Sequence, residues 1–399
     1  MKRQPIRLAA FILLTSFICN YSFGQADINV VTTAVPFLRI NNDARGGGMG
    51  ETGIAIAPDA YSHFWNAAKT PFIKDKFSGI GVSYTPWLSD LGLNDVYLAS
   101  LTGFYKLGDD EKSALSAGLR YFSLGSIQFT KDDGTNLQQY RPREFQFDVA
   151  YSRKLSTKTS MGVALRYINS DLAYGNLGGV DYKTGSAVAG DITLYHHGLD
   201  ASGKGLNWGL TLSNLGSKIG YTSDNQNKDY IPANLGVGLA YTTVFDESNK
   251  MTFGLDLNKL LVPATPVSSN TGVQTYDDSV NAVNLAGYRN SSVISSWFKS
   301  FSDGQNQLSE VQASLGVEYV YDDQFMLRAG YFYEDKNKGD RQYFTAGIGL
   351  KYSFMGLNFA YIIPSNSGIT RNPLSNTMRF SILFDLEEGG GTAAVATPK

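Results

Sequence analysis

Few residues in this sequence have the type and spacing that catalysis requires. The 399 residues include three histidines, His63, His196 and His197. A lipid hydrolase would need one of them beside a nucleophilic serine near the lipid boundary. His196 and His197 are adjacent at the end of an alternating segment, so their side chains should point to opposite faces of a strand. We interpret them as boundary residues and assign no catalytic residue, so the chain is not expected to be an enzyme.

A glycine-rich run has the spacing of a nucleotide-binding loop. Gly48, Gly50 and Gly53 fit the G-x-G-x-x-G pattern. A dinucleotide site also requires a hydrophobic strand before the motif, a helix after it and an acidic ribose ligand. The sequence shows none of these, and we predict no cofactor. Glycine also lets one backbone approach another closely, as a plug segment packed inside a larger structure requires.

Acidic residues predict local structure rather than a metal site. The pairs Asp132–Asp133 and Asp277–Asp278 lack the ligand spacing of a calcium loop. We interpret both pairs as solvated turn residues and predict no metal. Residues Pro58 to Ala68 predict a short helix, with Asp59 as its N-cap.

The composition limits both the partners and the fold class. Lys and Arg number 34 and Asp and Glu 36, for a formal net charge of −2. Bulk charge therefore gives no attraction for nucleic acid. The mean hydropathy of −0.17 excludes a bundle of transmembrane helices. Aromatic residues nevertheless make up 13% of the chain, so much aromatic surface must be covered in another way.

The amino terminus predicts export. Basic residues precede an apolar run from Leu8 to Ile18, and small residues follow it. This arrangement is typical of a secretory signal peptide, which we place at residues 1–25. The single cysteine, Cys19, follows the bulky Ile18, whereas a lipidation site needs a small residue there. The exported chain would then contain no cysteine and no disulfide.

Beyond residue 76 the dominant pattern is strict alternation of apolar with small or polar residues. In the segment from Phe145 to Ser152, apolar residues occupy every second position, and the segment from Phe344 to Tyr352 repeats the pattern. Such segments run for about 8 to 12 residues, close to the ~9 to 11 that cross a bilayer at a tilt. Tyrosines cluster at the segment ends, as in an aromatic girdle at the lipid–water boundary. Alternation alone does not distinguish a membrane barrel from a soluble sandwich. The segment lengths and the positions of the tyrosines favour membrane-spanning strands.

The number of segments and the lengths of their links predict a barrel. We count fourteen, beginning near Phe77, Asp95, Ser113, Glu144, Thr159, Ala187, Gly205, Ala233, Lys250, Glu310, Phe325, Gln342, Met355 and Asn376. Links after even-numbered segments are short, and most links after odd-numbered segments are long, as in outer-membrane barrels with periplasmic turns. We predict an all-β fold, a fourteen-stranded antiparallel transmembrane β-barrel integral to the cell outer membrane and in contact with its lipid.

The predicted domain organisation has four parts. The signal peptide at residues 1–25 is followed by a plug segment at residues 26–76, the barrel at residues 77–386 and a flexible tail at residues 387–399. The lumen-facing positions are rich in Gly, Ala and Ser, which leaves room for a plug. Scattered charged residues share that face: Arg120, Arg166, Glu318, Arg328 and Lys351.

One loop is much longer than a connector requires. It runs from Lys259 to Ser309 and contains Trp297, Phe298 and Phe301 among small polar residues. Exposed aromatic residues of this kind often mark partner contacts. We predict that these three residues bind a protein partner on the extracellular rim. The alternative is that they fold back and cap the mouth of the barrel.

Two parts of the sequence carry a resemblance to a known family. They are the run from Asp43 to Gly53, continued at Pro58 to Ala60 and at Trp65 to Lys69, and the stretch from Glu318 to Pro364. Both resemble the PorV family, whose members are outer-membrane components of the type IX secretion system. This family is similar in architecture to the FadL fatty acid transporters. The likeness extends over essentially the whole exported chain.

The resemblance implies a function in protein secretion. A PorV-like protein would bind secreted cargo by its carboxyl-terminal signal domain at the translocon barrel. It would then pass the cargo to an attachment complex with a sortase-like component. The alternative function is FadL-like transport of small hydrophobic molecules across the outer membrane. The acidic, glycine-rich tail from Glu387 to Lys399 departs from barrels that finish on an aromatic residue.

Overall fold

The computed structural model describes eleven parts of the chain. They are residues 30–74, 77–88, 92–108, 111–130, 134–177, 179–223, 228–266, 274–303, 307–363, 374 and 376–386. The predicted signal peptide and the predicted tail lie outside the described residues. Among the helices in these parts, none is both long and apolar enough to cross a membrane.

Fourteen antiparallel strands of the described chain form a closed barrel in sequence order. The last strand pairs with the first, from Ser78 opposite Leu386 to Tyr84 opposite Phe380. Each strand therefore has two neighbours, and the backbone groups find partners within the sheet, as a bilayer requires. The strands are β1 (Ser78–Pro86), β2 (Val96–Leu107), β3 (Ser113–Leu124), β4 (Arg143–Lys154), β5 (Thr159–Asp171), β6 (Gly185–His196), β7 (Gly205–Gly216), β8 (Asn234–Val244), β9 (Asn249–Leu260), β10 (Val311–Tyr321), β11 (Phe325–Tyr333), β12 (Gln342–Tyr352), β13 (Met355–Ile363) and β14 (Met378–Leu386).

The predicted barrel is confirmed, and so is its asymmetry. Each predicted strand start lies within two residues of the observed start. Links after even-numbered strands span two residues (353–354) to eight (197–204), whereas those after odd-numbered strands span eight (334–341) to fifty (261–310). We call the two ends of the barrel the short-turn rim and the long-loop rim.

The two faces of the sheet differ in chemistry. In β4 and β5 the outward Val149 and Leu165 are exposed, whereas the inward neighbours Asp148 and Arg166 are buried. Leaving such apolar side chains in water would cost about 25 cal/mol for each Å². A bilayer removes this cost, and the outward face is therefore the lipid face of a membrane-spanning barrel.

Aromatic residues gather on this face near the rims. Tyr84, Tyr97 and Tyr121 lie on three adjacent strands near the long-loop rim, with ring centroids 5.5 Å and 6.2 Å apart. Tyr331 and Phe344 pair in the same way at 4.8 Å. Such rings suit the lipid–water boundary because they are apolar with a polar edge.

The remaining elements lie inside the barrel or at the long-loop rim. Residues Val30 to Lys74 form the described plug. It contains the 3₁₀ helices Pro36–Arg39 and Ala67–Phe72 and the short helices α1 (Ala44–Gly48) and α2 (Ser62–Trp65). The long loop contains α3 (Gln274–Asn290), α4 (Val293–Lys299) and the 3₁₀ turn Gln307–Glu310. Three hairpins extend other long loops: Ile127–Thr130 with Asn136–Tyr140, Gly175–Leu177 with Val180–Tyr182, and Ile219–Gly220 with Lys228–Asp229.

Two local predictions about acidic residues were wrong. Asp59 does not cap a helix, because α2 begins only at Ser62; its carboxylate accepts from Tyr61 N and from Arg45 instead. Asp277 and Asp278 lie in α3 rather than in a turn, and Asp277 is in the first helical turn, where negative charge is favourable. Asp132 and Asp133 lie outside the described residues.

Replacing Leu165 with arginine tests which solvent the outward face meets. Leu165 is 61% exposed in the middle of β5, and a cation at that depth should cost about 2–4 kcal/mol of folding free energy in lipid. Leu155, 63% exposed in the adjoining short turn, is the control, because Leu155→Arg at the rim should cost only about 0–1 kcal/mol. Denaturant titration of barrels folded into vesicles measures both. Equal costs would contradict the assignment of a lipid face.

Candidate functional site

The plug fills much of the barrel lumen. Helix α1 packs against β12, β13 and β14, and the 3₁₀ helix Ala67–Phe72 packs against β4 and β5 on the opposite wall. Three of the five residues of α1 are glycines, which are poor helix formers. A cap stabilises the helix, because the Asp43 carboxylate accepts from Gly46 N at 2.8 Å. Packing of α1 against β12, β13 and β14 supplies the remaining stabilisation.

Glycines allow the plug backbone to touch the wall directly. Gly50 has a φ of +67° and lies against β10 and β11. A methyl group built on the facing Gly330 would be 2.0 Å from Gly50 N, and one on Gly48 would be 3.0 Å from the Cα of Gly347. The glycine run is thus a backbone-packing surface. Its predicted role as a close-approach motif is confirmed by these contacts.

A buried arginine of the plug joins it to the wall electrostatically. The Arg45 guanidinium donates to both oxygens of Glu318 in β10, at 2.7 Å and 3.0 Å, and to Asp59 Oδ2 at 2.8 Å. Arg328 Nε donates to Glu318 as well, at 2.7 Å. Burial alone would lower the pKa of Arg45, but the Glu318 and Asp59 carboxylates raise it above its ordinary value. The charge is therefore fixed, and breaking one partner would leave the others buried without compensation.

Two more wall contacts hold the plug beyond α1. Asp256 in β9 accepts from the backbone N–H groups of Gly53 and Ile54 at 2.7 Å and 2.9 Å. On the other side, Glu51 Oε1 accepts from Arg379 at 2.8 Å and from the Tyr343 hydroxyl at 2.9 Å. Hydrogen bonds to charged groups are worth about 1.5–3 kcal/mol each. These contacts make the plug an integral part of the barrel in this state.

Lys69 is a buried cation without a carboxylate contact among the described residues. Its Nζ donates to Gly53 O at 2.8 Å, and the residue is 1% exposed. Burial lowers its pKa to about 8, although Asp59 opposes the shift. The neutral amine is thus favoured in the folded protein relative to the unfolded chain.

The three histidines occupy structural positions. His63 Nδ1 lies 2.8 Å from Ser116 Oγ and its Nε2 lies 3.1 Å from Asp148 Oδ2, although the second pair is not aligned for a hydrogen bond. Ser116, His63 and Asp148 thus have the spacing of a nucleophile, a base and an acid. The sequence did not predict this group, because the three residues lie far apart in the chain, on β3, the plug and β4. All three are buried, and none lines the cavity found in the lumen. The group therefore holds the plug.

His196 and His197 point to opposite faces, as predicted. His196 stacks on Trp208 at 5.4 Å on the outer face, and His197 stacks on Phe72 of the plug at 5.1 Å. Burial, and then the nearby Lys74, lowers the pKa of His197 to about 4. It is neutral at physiological pH and acts as a flat packing surface at the short-turn rim.

The predicted charged lumen residues divide into two groups. Arg166 is buried and donates to Asp148 and Asp191 at 2.8 Å each, and Arg120 donates to two plug carbonyls. Together with Glu318 and Arg328 they face the interior. Lys351 instead lies near the short-turn rim and pairs with Asp385 at 2.9 Å.

The space left above the plug is small and is lined by charged, polar and apolar residues. A cavity of about 140 Å³ lies between plug residues, including Trp65, and wall residues, including Arg120, Asn234, Asn258 and Arg341. Sites for drug-sized ligands occupy about 300–1,000 Å³ and are mostly apolar. In this state the cavity suits a small polar group rather than a hydrophobic molecule.

The long loop presents apolar residues beyond the rim. Phe298 and Ile294 on α4 are 74% and 63% exposed, whereas Trp297 is half-buried. Phe301 is half-exposed, and Lys259 lies over its ring at 5.4 Å. The predicted residues Trp297, Phe298 and Phe301 therefore lie together on α4 and directly after it.

This loop is attached to the neighbouring long loop between β7 and β8. Ser296 Oγ lies 2.6 Å from the Tyr230 hydroxyl, and Lys218 Nζ donates to Ser291 O at 2.8 Å. Ser292 Oγ caps α4 by accepting from Ser295 N. Helix α4 is therefore held at a defined position on the long-loop rim, with one face exposed.

Comparison with known proteins identifies the family. The family model described as type IX secretion system protein PorV matches residues 23–267, which is 245 of the 399 residues. The chain belongs to the PorV family. Among proteins of curated function, none matches this PorV-family sequence.

Solved structures share the architecture of this PorV-family barrel. The toluene transporter TbuX of Ralstonia pickettii is 11% identical, with a TM-score of 0.52 over 87% of this chain and 98% of that one. A FadL homologue of Pseudomonas aeruginosa is also 11% identical, with a TM-score of 0.44 over 90% of this chain and 99% of its own. At this identity the likeness to TbuX shows the fold alone.

Replacing Gly330 with alanine tests the contact between plug and wall in the PorV-family barrel. The added methyl group would meet Gly50 N, and overpacking of this kind costs about 1–3 kcal/mol. The unfolding midpoint of the detergent-solubilised protein should fall, and proteolysis of the plug should become faster. Gly287→Ala is the control, because Gly287 lies in α3 with open space around it and alanine favours a helix by about 1 kcal/mol. An unchanged plug in Gly330→Ala would show that this contact is not tight.

Lys69 predicts a pH dependence of stability. Its pKa is about 8 in the folded protein against an ordinary value of 10.5 for a solvated lysine, so the unfolded chain binds more protons between these values and stability should rise with pH across that window. The variant Lys69→Met has no amine that titrates at this position, so it lacks this contribution to the pH dependence. The difference in melting temperature between the wild type and this variant, measured from pH 7 to pH 10.5, should therefore change with pH in that interval. A constant difference would contradict the prediction.

Proposed function

We propose that this PorV-family protein carries secreted cargo at the outer membrane. It binds the carboxyl-terminal signal domain of the cargo at the translocon barrel and passes it to a sortase-like attachment complex. The observation that carries the proposal is the family match. On this proposal the protein is not an enzyme, and its activity consists of protein contacts made at the extracellular rim.

The closed lumen supports this proposal. Cargo does not pass through the barrel itself, because the plug is bonded to the wall. The bonds are made by the side chains of Arg45 and Glu51 and by the backbone N–H of Gly53, which donates to Asp256. Contacts with partners then use the loops and the lipid face. The exposed face of α4 is the part of the described long-loop rim that we propose as a contact site.

The alternative is transport of a small hydrophobic molecule, as the name of the toluene transporter TbuX states for that protein. The small cavity of about 140 Å³ does not favour this alternative. Saturable uptake of a hydrophobic ligand into liposomes that contain the purified barrel would support it.

Removing the exposed aromatic loop segment tests the proposed contact. Deletion of Val293 to Phe301 should abolish co-purification with the translocon while the barrel keeps its heat-modifiable migration in electrophoresis. Phe298→Ser should weaken co-purification by about tenfold if its exposed ring is a contact of about 1–2 kcal/mol.

The matched control is Val283→Ser, which removes an exposed apolar side chain from α3 in the same loop. Co-purification should be unchanged in this control. Retained co-purification in the deletion variant would reject α4 as the contact, and secretion of cargo measured in the same cells would show whether the carrier function survives without it.

A further inference from the structure

The lumen cavity lies at the long-loop end of the barrel. Its wall residues come from the strand ends that feed the long loops: Ser213 and Asn214 of β7, Asn234 of β8, Asn258 of β9, Gln312 and Ser314 of β10, and Arg341 before β12. Plug residues from Leu38 to Asn42 and Trp65 also line it. A ligand would therefore approach from the long-loop rim, and the plug would form part of its site.

Several side-chain polar atoms of residues that line the cavity are covered by the protein and have no protein partner among the described residues. They are Asn41 Nδ2, both side-chain polar atoms of Asn42, and Arg120 Nε. The three residues are 5%, 3% and 5% exposed. Buried side-chain polar atoms are mostly paired in folded proteins, and each exception requires an explanation. Three of the four unpaired atoms here are donors, which favours a ligand that accepts hydrogen bonds.

The charges that line the cavity point to an anion. The lining contains Arg39, Arg120 and Arg341 against a single carboxylate, Glu51. Glu51 is already bound by Arg379 at 2.8 Å. The cavity therefore has more guanidinium than carboxylate groups on its surface.

One of these guanidinium groups, that of Arg39, has only a weak ionic partner. Arg341 takes both oxygens of Glu334, at 2.7 Å and 2.9 Å, which leaves Arg39 at 3.5 Å from the same carboxylate. Burial lowers the pKa of Arg39 to about 10, so it remains charged at neutral pH.

Arg120 forms no ion pair with the described residues. Its Nη1 donates to the carbonyls of Phe37 and Leu38, at 3.1 Å and 2.9 Å, and its guanidinium lies over the Phe64 ring at 5.2 Å. The carboxylates of Asp148 and Asp191 are bound by Arg166. These carbonyl contacts pair some of the N–H donors of Arg120 but do not neutralise its positive charge.

Water alone accounts for only part of this arrangement. Each water occupies about 30 Å³ and can pair with the asparagine amides. It supplies no negative charge to a buried guanidinium, which costs free energy to desolvate unless it is paired.

We propose that this cavity binds a single carboxylate group, with Arg120 and Arg39 as the charge partners and with the Asn41 and Asn42 side chains turning to bring their unpaired amides to the ligand. A carboxylate has two acceptor oxygens that match a guanidinium fork. The group would belong either to a small free carboxylic acid or to the carboxyl terminus of a polypeptide. The inference does not depend on the proposed secretion function, because its test measures binding to the isolated protein.

The first experiment compares an acid with its neutral counterpart. N-acetylglycine and N-acetylglycinamide are titrated into the purified full-length barrel, with calorimetry and the fluorescence of Trp65 in the cavity wall as readouts. The acid should bind saturably and at least tenfold more tightly than the amide. Equal binding of the two, or no saturable binding of the acid, would overturn the proposal.

Short peptides with free or amidated carboxyl termini distinguish the two sources of the carboxylate, which are a small free acid and the carboxyl terminus of a polypeptide. If a tripeptide with a free carboxyl terminus binds more tightly than N-acetylglycine and amidation removes this tighter binding, the ligand is the carboxyl terminus of a polypeptide. Weaker binding of the tripeptide than of N-acetylglycine identifies a free small acid. Both results support the carboxylate site, and they differ only in its source.

Variants locate the site. Asn42→Leu replaces an unpaired buried amide by an apolar group of similar shape, which is tolerated when no partner is lost; acid binding should fall at least tenfold while the melting temperature is kept. Thr52→Val is the matched control, because it removes a buried unpaired hydroxyl that does not line the cavity, and binding should be unchanged. Arg120→Gln should abolish binding. Unchanged binding in Asn42→Leu would reject the site even if Arg120→Gln does not fold.

Discussion

The pairing of charged groups inside the barrel is the constraint on which the rest of the structure depends. A closed sheet with an apolar outer face has an inner face that must accommodate its polar side chains without bulk water. Arg45 and Glu318 illustrate the solution, because each pairs across the boundary between plug and wall and also has a partner within its own element, Asp59 for Arg45 and Arg328 for Glu318. The charges of the plug and of the wall therefore form one network. Breaking one such pair costs more than the pair contributes, because the remaining charge stays buried.

The same constraint explains why small residues dominate the lumen wall. Where the plug approaches most closely, as at Gly330 and Gly347, there is no space for a β-carbon. Where the wall carries long side chains, as at Arg120 and Arg166, these reach plug carbonyls or neighbouring carboxylates. The plug thus meets the wall through both glycine contacts and charged contacts. The remaining space lies near the long-loop rim, where the partners of the carrier are proposed to bind.

The fold could be predicted from the sequence because the lipid face imposes a period of two on every strand. Phe145 to Ser152 and Phe344 to Tyr352 show the period clearly, and strand starts follow where it begins. The interior could not be predicted in this way, since its contacts join residues far apart in the chain. Glu318 was recognised as a lumen residue, but its partner Arg45 lies 273 positions earlier. Asp59 was assigned to a helix cap because local sequence cannot show a charge supplied from elsewhere in the fold. The aromatic residues on and after α4 were predicted as partner contacts from the length of their loop and their clustering within it, and this stays a prediction. The contact between α4 and Tyr230 was not visible in the sequence.

The closure of β1 on β14 has a consequence for the order of assembly. The plug precedes every barrel strand in the chain, and the first and last strands meet in one seam, from Ser78 opposite Leu386 to Tyr84 opposite Phe380. This ring of fourteen strands can close only once its last strand has been synthesised. The plug is therefore made before there is an enclosed space to receive it.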